Sequence, residues 1–469
     1  MKKKSLNTVL LNTVIITFLL ILTSSNFTNA FAQEIRLPQI KKETLDNGLK
    51  VIVIEHQELP VVAFRLVLKS GSVFDPQGKA GLANLTAELL RKGTKTRNAT
   101  QIAEEIDFVG GTLGAGADRD ATFATCRVLN KYLDTGLDLL ADIILNPTFK
   151  DDEMERLRKQ IIAGILQQKD NPESVAEENF RKFVFGEHPY GQPQEGTEES
   201  VSGIAREEIV DFHKTYYVPN NAILAVVGDI KTDDVLEKVK SKFGSWRRKE
   251  FVTPDFAQPP QIKGHQILLV DKPDLTQSYI NIGHFGIERK SPDYFPVRVM
   301  NYILGGGGFA SRLMDEVRAK RGLTYGIHCN FDSYRMKGAF AVTTFTRVDS
   351  TLGAIQATLD QIQRIRTEKV SEKELSETKS FYNGYFPLQF ETPEQIATQI
   401  LNVEIYDLGE DYIKNFRKNI NAVTADDILR VAQKYLDPDN IKLVVVSKAE
   451  ELKTGLELMG NVEITSFLK

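Results

Sequence analysis

This sequence has few residues that could bind a metal or attack a bond by a familiar route. Of its 469 residues, two are cysteines and six are histidines. Cys126 and Cys329 lie in different halves, in the strand-like runs ATFATCRV and GIHCNF. Two cysteines cannot build the disulfide framework that small secreted domains depend on, so both read as small buried residues. A single bridge between them is the alternative. No two of His56, His188, His213, His265, His284 and His328 fall within one helical turn. None therefore has metal-ligand spacing, and they read as loop and surface residues. There is no G-x-S-x-G elbow. The run Gly305–Gly308 is not followed by Lys-Ser/Thr, which excludes a phosphate-cradling loop.

Long apolar runs are also scarce. The exception is near the start, where Lys2, Lys3 and Lys4 precede an apolar stretch from Val9 to Leu22 and then Ala30-Phe31-Ala32. This pattern predicts a secretory signal over residues 1–32 with a small-x-small cleavage site. The run is short for a membrane span and is interrupted by Asn12, and no cysteine follows it for lipid attachment. After cleavage no membrane span is expected, and the chain is placed in the periplasm or outside the cell. The whole chain carries a net charge of −4; losing three lysines leaves 56 basic against 63 acidic residues, a charge of −7. That balance argues against nucleic acid and anionic membranes as partners.

At 42% hydrophobic residues the composition is that of a globular protein, and the length exceeds what one core supports. The chain contains itself twice. IVDFHKTYYVPNNAILAVVGDI aligns with ILRVAQKYLDPDNIKLVVVSKA at a constant offset of 219, matching Tyr216 to Tyr435 and Pro219 to Pro438. DNPES (Asp170–Ser174) and ETPEQ (Glu391–Gln395) correspond at nearly the same offset. Such long-period similarity implies two copies of one domain. The seam is the proline-containing stretch VTPDFAQPPQIKG, which reads as a linker. The expected division is 37–252, a linker at 253–264, and 265–469. In each copy, β-type runs such as KVIVIE, VAFRLVLKSGS and TFATCRVL alternate with helical patterns such as NKYLDTGLDLLADIIL and REEIVDFHKTYY. The fold class expected is α+β: two homologous layered domains, each a mostly antiparallel sheet with helices on one face.

The segment GSVFDPQGKAGLANLTAELLRKGT (Gly71–Thr94) resembles the signature of the insulinase/pitrilysin and processing-peptidase family of zinc peptidases. There GLAH-x-x-EH-x-x-x-KGT carries an inverted zinc motif, with two His one helical turn apart and a Glu acting on the metal-bound water. This chain has Asn84, Ala87 and Glu88 at those positions, and the third ligand, a Glu in the family, aligns with Gly164. LDNGLKVIVIEH, DIILNPTF, HPYGQPQEGTEESV and YYVPNNAILAVVGDI also match family landmarks. ILGGGGFASRLMDEVRAKRGLTYGI (Ile303–Ile327) is similar to its second signature, LGGG-x-x-SRL…R-x-x-x-GL-x-Y.

The resemblance implies two domains closing like half a clamshell around a substrate cavity, with the zinc site degenerate at Asn84, Ala87, Glu88 and Gly164. It therefore implies no cofactor in this chain and zinc in a homologous partner subunit. Arg318 and Tyr325, seven residues apart with Gly322 between, match a family pair that reaches across the cavity to the scissile peptide. Both are donors suited to an oxyanion. An exposed helix arginine and a core tyrosine are the ordinary alternative, and Arg321 is the rival arginine. Gly305, Gly306, Gly307 and Gly308 precede the helix SRLMDEVRAK and suggest a flexible turn with free N–H groups. In the non-catalytic subunit of mitochondrial processing peptidase, a longer glycine-rich loop at this place handles substrate; a tight strand-to-helix connection is the plainer reading. The function implied is a catalytically incomplete subunit of a secreted heterodimeric zinc peptidase, its peptide substrate adding to a sheet edge near Thr112–Val128. A non-enzymatic scaffold of the same fold, like the family's respiratory-complex core subunits, and a stand-alone peptidase with another metal site are the alternatives.

Overall fold

The computed structural model describes residues 39–467, so the expected signal sequence lies outside the described residues. The first half contributes strands β1 (Ile40–Thr44), β2 (Lys50–Glu55), β3 (Val61–Leu68), β4 (Thr112–Ala117), β5 (Thr122–Leu129) and β6 (Ala222–Gly228). Its helices include α1 (Leu82–Leu89), α2 (Leu133–Leu145), α3 (Asp151–Lys169), α4 (Pro172–Phe185) and α5 (Arg206–Tyr216). The second half contributes β7 (His265–Asp271), β8 (Gln277–Phe285), β9 (Ile287–Glu288), β10 (Thr324–Tyr334), β11 (Lys337–Arg347), β12 (Ile441–Ser447) and β13 (Asn461–Ser466). Its helices include α6 (Tyr294–Asn301), α7 (Glu372–Tyr385), α8 (Pro393–Ile405) and α9 (Ala425–Tyr435).

The first sheet runs β1-β2-β6-β3-β5-β4 and the second β13-β7-β12-β8-β11-β10-β9. The order β2-β6-β3-β5-β4 is thus repeated as β7-β12-β8-β11-β10. Helix α5 and strand β6 recur 219 residues later as α9 and β12. In the first sheet only the β2–β6 pairing is parallel. The architecture is α+β in two layered halves, and residues 246–263 between them hold no helix or strand.

The repeated DNPES and ETPEQ motifs have a local physical cause. Asn171 accepts hydrogen bonds from the N–H groups of Glu173 and Ser174, and Pro172 opens α4. Thr392 makes a capping box with Gln395, and Pro393 opens α8. A capping side chain followed by proline satisfies the orphan donors of the first turn and presets φ. These two helices then trade places. Helix α4 packs on β8 and β12 of the second sheet, and α8 packs on β3 and β6 of the first. Phe180 of α4 is buried, with its ring against Gly283, and Arg181 pairs with Asp332 at 3.0 Å. On the other side Glu404 of α8 holds Lys50 at 2.7 Å and Lys42 at 2.8 Å.

Each sheet is therefore covered on both faces, by its own helices and by one from the other half. That is why every residue of β6 (AILAVVG) and β12 (IKLVVVS) is buried, whereas no residue of the edge strand β13 is. The hairpin tips interlock too: Asp120 accepts from Tyr190 Oη at 2.5 Å and from the Arg335 N–H at 2.7 Å.

One expectation is corrected here and another is met. Strand β4 is the open edge of the first sheet, but β5 lies between β3 and β4, so only Thr112–Ala117 of the stretch Thr112–Val128 offers free edge groups. Cys126 and Cys329 are both buried free thiols, each in its own half. Burial pushes the Cys126 thiol up to about 12, which keeps it unreactive.

Candidate functional site

Helix α1 carries the degenerate motif. Asp75 caps it, accepting from the N–H groups of Gly81 and Ala83, both at 2.8 Å. Asn84 is buried and its amide donates to Glu88 Oε1 at 3.4 Å, one helical turn on. Ala87 is fully buried and Glu88 half-buried. Helix α3 packs beside α1 and carries Gly164, where a Cβ would meet nothing within 4 Å. The two helices that would carry a three-ligand site are thus present, without the ligand side chains. The donor set does not fit zinc: a neutral amide, one carboxylate and a glycine supply too few ligands, and Ala87 supplies no base. Among the described residues no group of three or more His, Cys, Asp or Glu could hold a metal ion.

The glycine run is two features rather than one flexible turn. Gly305 and Gly306 continue α6 in a wider helical turn, and the Gly307 N–H donates to Tyr302 O at 2.8 Å. Gly305 is buried, and a Cβ there would lie 2.7 Å from Cys329 Sγ and 2.8 Å from its backbone nitrogen, so glycine is required for close packing against β10. Gly308 alone has a left-handed conformation (φ +56°) with open space around it. Only this end of the run reaches solvent as a turn.

The helical segment Met314–Lys320 follows, stopped by Gly322 at φ +62°. Arg318 lies on its last turn and Tyr325 near the start of β10. The structure brings them together through the backbone: Arg318 Nε donates to Tyr325 O at 3.1 Å. The Arg318 guanidinium also stacks over the Phe309 ring, 4.9 Å from its centroid. Phe309 and Tyr325 are 78% and 79% exposed, so this arginine is held between two aromatic residues that face solvent. No carboxylate among the described residues pairs with Arg318. The rival Arg321 is tied down, its Nε 2.9 Å from Glu316 Oε1. A guanidinium without a counter-ion beside an exposed phenol can receive developing negative charge; a salt-bridged one cannot do so without breaking its pair. Arg318 and Tyr325 also line a recess of about 330 Å³ with Gln277, Phe345 and Arg347. No hydrogen bond or ion pair among the described residues joins this pair to α1.

Phe309 was not singled out in the sequence, although an aromatic residue directly after four glycines is an unusual place for an exposed ring. Arg312, in the same SRL stretch, is fixed by a two-pronged pair with Glu374 of α7, at 2.6 and 3.0 Å. Although partial burial opposes ionisation, hydrogen bonds from Arg312 and Ser371 hold the Glu374 carboxyl at about 2.

Comparison with known proteins bears on the family. Residues 50–198 match the family described as insulinase (peptidase family M16), and residues 203–382 match the peptidase M16 inactive domain. Together the two cover most of the chain. An uncharacterized zinc protease of Mycobacterium leprae is 29% identical over 84% of this chain and 89% of its own length. One of Bacillus subtilis is 25% identical over 85% and 96%. A crystal structure of a peptidase M16 inactive domain from Pseudomonas fluorescens superposes with a TM-score of 0.82 at 29% identity, covering 87% of this chain and 98% of that one. A protease structure from Helicobacter pylori shares the fold, with a TM-score of 0.81 at 22% identity over 87% of this chain and all of the other. The chain belongs to peptidase family M16.

Proposed function

We propose that this chain is a catalytically incomplete subunit of a two-chain zinc peptidase exported to the periplasm or cell exterior. The observation that carries this reading is the contrast between its two halves. The first half keeps the α1–α3 scaffold but has Asn84, Ala87, Glu88 and Gly164 where ligands and base belong. The second half keeps Arg318 without a carboxylate partner among the described residues, stacked over Phe309 and hydrogen-bonded to the backbone carbonyl of the exposed Tyr325. A homologous partner would supply the zinc. This chain would close the substrate cavity and direct the Arg318 guanidinium and Tyr325 hydroxyl at the scissile carbonyl of a bound peptide. Gly308 and the free edge of β4 are the places where that peptide's backbone would run.

The test is metal analysis and peptidase assay of the mature chain, alone and co-expressed with a zinc-bearing homologue from the same cell. Alone it should carry no stoichiometric zinc and cleave no peptide. The pair should form a stable heteromer whose activity exceeds the sum of the separate chains by orders of magnitude. One zinc per isolated chain with chelator-sensitive cleavage would restore a stand-alone enzyme. Failure to associate with any such homologue would favour a scaffold.

A further inference from the structure

Behind the Arg318–Tyr325 recess, and sharing Phe345 with it, lies a second cavity of about 220 Å³. Its floor is set by strand register. Phe345 of β11 pairs with Tyr279 of β8, and Thr343 stands between Asn281 of β8 and His328 of β10. Because strand side chains alternate, these residues share one face. The start of α4, at Glu173 and Ala176, forms a wall contributed by the first half.

Asn281 is 2% exposed. The Thr343 hydroxyl donates to Asn281 Oδ1 at 2.7 Å, and Asn281 Nδ2 has no partner among the described residues. A buried amide left half-satisfied costs about 1–3 kcal/mol, so its persistence beside a cavity points to a ligand group that completes it. The remaining lining is largely aromatic and aliphatic, and Glu173 at the wall disfavours an incoming carboxylate. The apolar lining disfavours a desolvated cation as well, which leaves a neutral polar group. Should the Asn281 amide turn over, with the Thr343 hydroxyl accepting, the unpaired atom becomes Oδ1; a ligand with both a donor and an acceptor satisfies either orientation.

We propose that this cavity is a specificity subsite for a carboxamide side chain, glutamine or asparagine, of the peptide held beside Arg318 and Tyr325. The proposal rests on the peptide-handling reading above and adds the side-chain class that is selected. Its test uses three pools of blocked octapeptides, degenerate at every position but the fourth, which is fixed as Gln, Leu or Glu. Binding to the full mature chain, alone and with the zinc-bearing homologue, is followed by fluorescence anisotropy.

The Gln pool should bind on the order of tenfold more tightly than the Leu pool, with the Glu pool weakest. Asn281→Leu should abolish the Gln preference while leaving the Leu pool bound. Gly326→Val is the second variant: its new Cβ comes no nearer than 3.8 Å to any neighbour, and its methyl groups would fill the cavity. It should erase the preference without touching Asn281, which covers failure of the Asn281 variant to fold. Pools bound with equal affinity, or a Gln preference that survives both variants, would overturn the subsite and assign the Asn281 amide to water, leaving peptide handling intact. Absence of binding by every pool, with or without the homologue, would remove the peptide reading itself and the subsite with it.

Discussion

At the scale of single residues, the proposed chemistry turns on the difference between Arg318 and Arg321. Both are exposed or half-exposed cations at the end of one short helical segment, Arg321 just past it, yet Arg321 is neutralised by Glu316 and Arg318 is not. In the assembled enzyme, Arg318→Ala and Tyr325→Phe should each lower turnover about a hundred- to a thousandfold, as for loss of one oxyanion donor. Zinc content and assembly should be unchanged, because neither side chain is buried in the core. The effect should fall on kcat more than on KM, since the charge being met develops only in the transition state. Arg318→Lys should rescue poorly, a point ammonium being unable to reproduce the planar fork, and Arg321→Ala should be mild. Wild-type kinetics in both main variants would reduce the pair to surface residues. Arg318 and Tyr325 were legible in the sequence because their spacing and Gly322 between them form a motif. The missing carboxylate and the Phe309 stack were not, because contacts made through space leave no trace in spacing. Asn281 was equally hidden: a polar residue between Ile280 and Ile282 acquires meaning only once the register sets it beside Thr343.

At the scale of elements, Glu374 fastens the start of α7 to the segment that carries Arg318. Its carboxyl is held at about 2, below its ordinary 4.5, so the folded chain keeps this group ionised where the unfolded chain binds a proton. The resulting stabilisation is therefore complete above pH 4.5 and is lost as pH falls toward 2. Glu374→Gln should cost about 1–2 kcal/mol at pH 7, after allowance for its partial exposure. The gap from wild type should shrink between pH 4.5 and 2, as read by denaturant unfolding across that range; a pH-independent gap would show that packing, not charge, is at work. Elements were mostly readable from sequence. α5 follows its helical spacing and β2, β3 and β5 their β-type runs, whereas α9, β6 and β12, and the capped starts of α4 and α8, were marked in the sequence only by the repeat. The run Gly305–Gly308 was not readable, because four identical residues cannot say which of them is packed on Cys329 and which turns freely.

At the scale of the whole molecule, the repeat was evident but the exchange of α4 and α8 was not. Nothing in PESVAEENFRKFVF states which of two similar sheets it will cover; its apolar positions would suit either. The exchange predicts that a single protease cut within residues 246–263 leaves both fragments together through size-exclusion chromatography. Heating the nicked chain should show one cooperative transition, since unfolding either half strips a helix from the other. Fragments that separate without denaturant would refute this.

The exchanged helices also fix where motion can occur. A hinge needs two bodies that meet over a small, slippery boundary. Here each body is latched by the other's helix, with Phe180 and Arg181 on one side and Glu404 on the other. Rotation of the halves against each other would have to break both latches at once. The two halves are therefore expected to move as one body, and in the two-chain peptidase proposed above, admission of a substrate would be a property of the seam between subunits rather than of flexibility within this polypeptide.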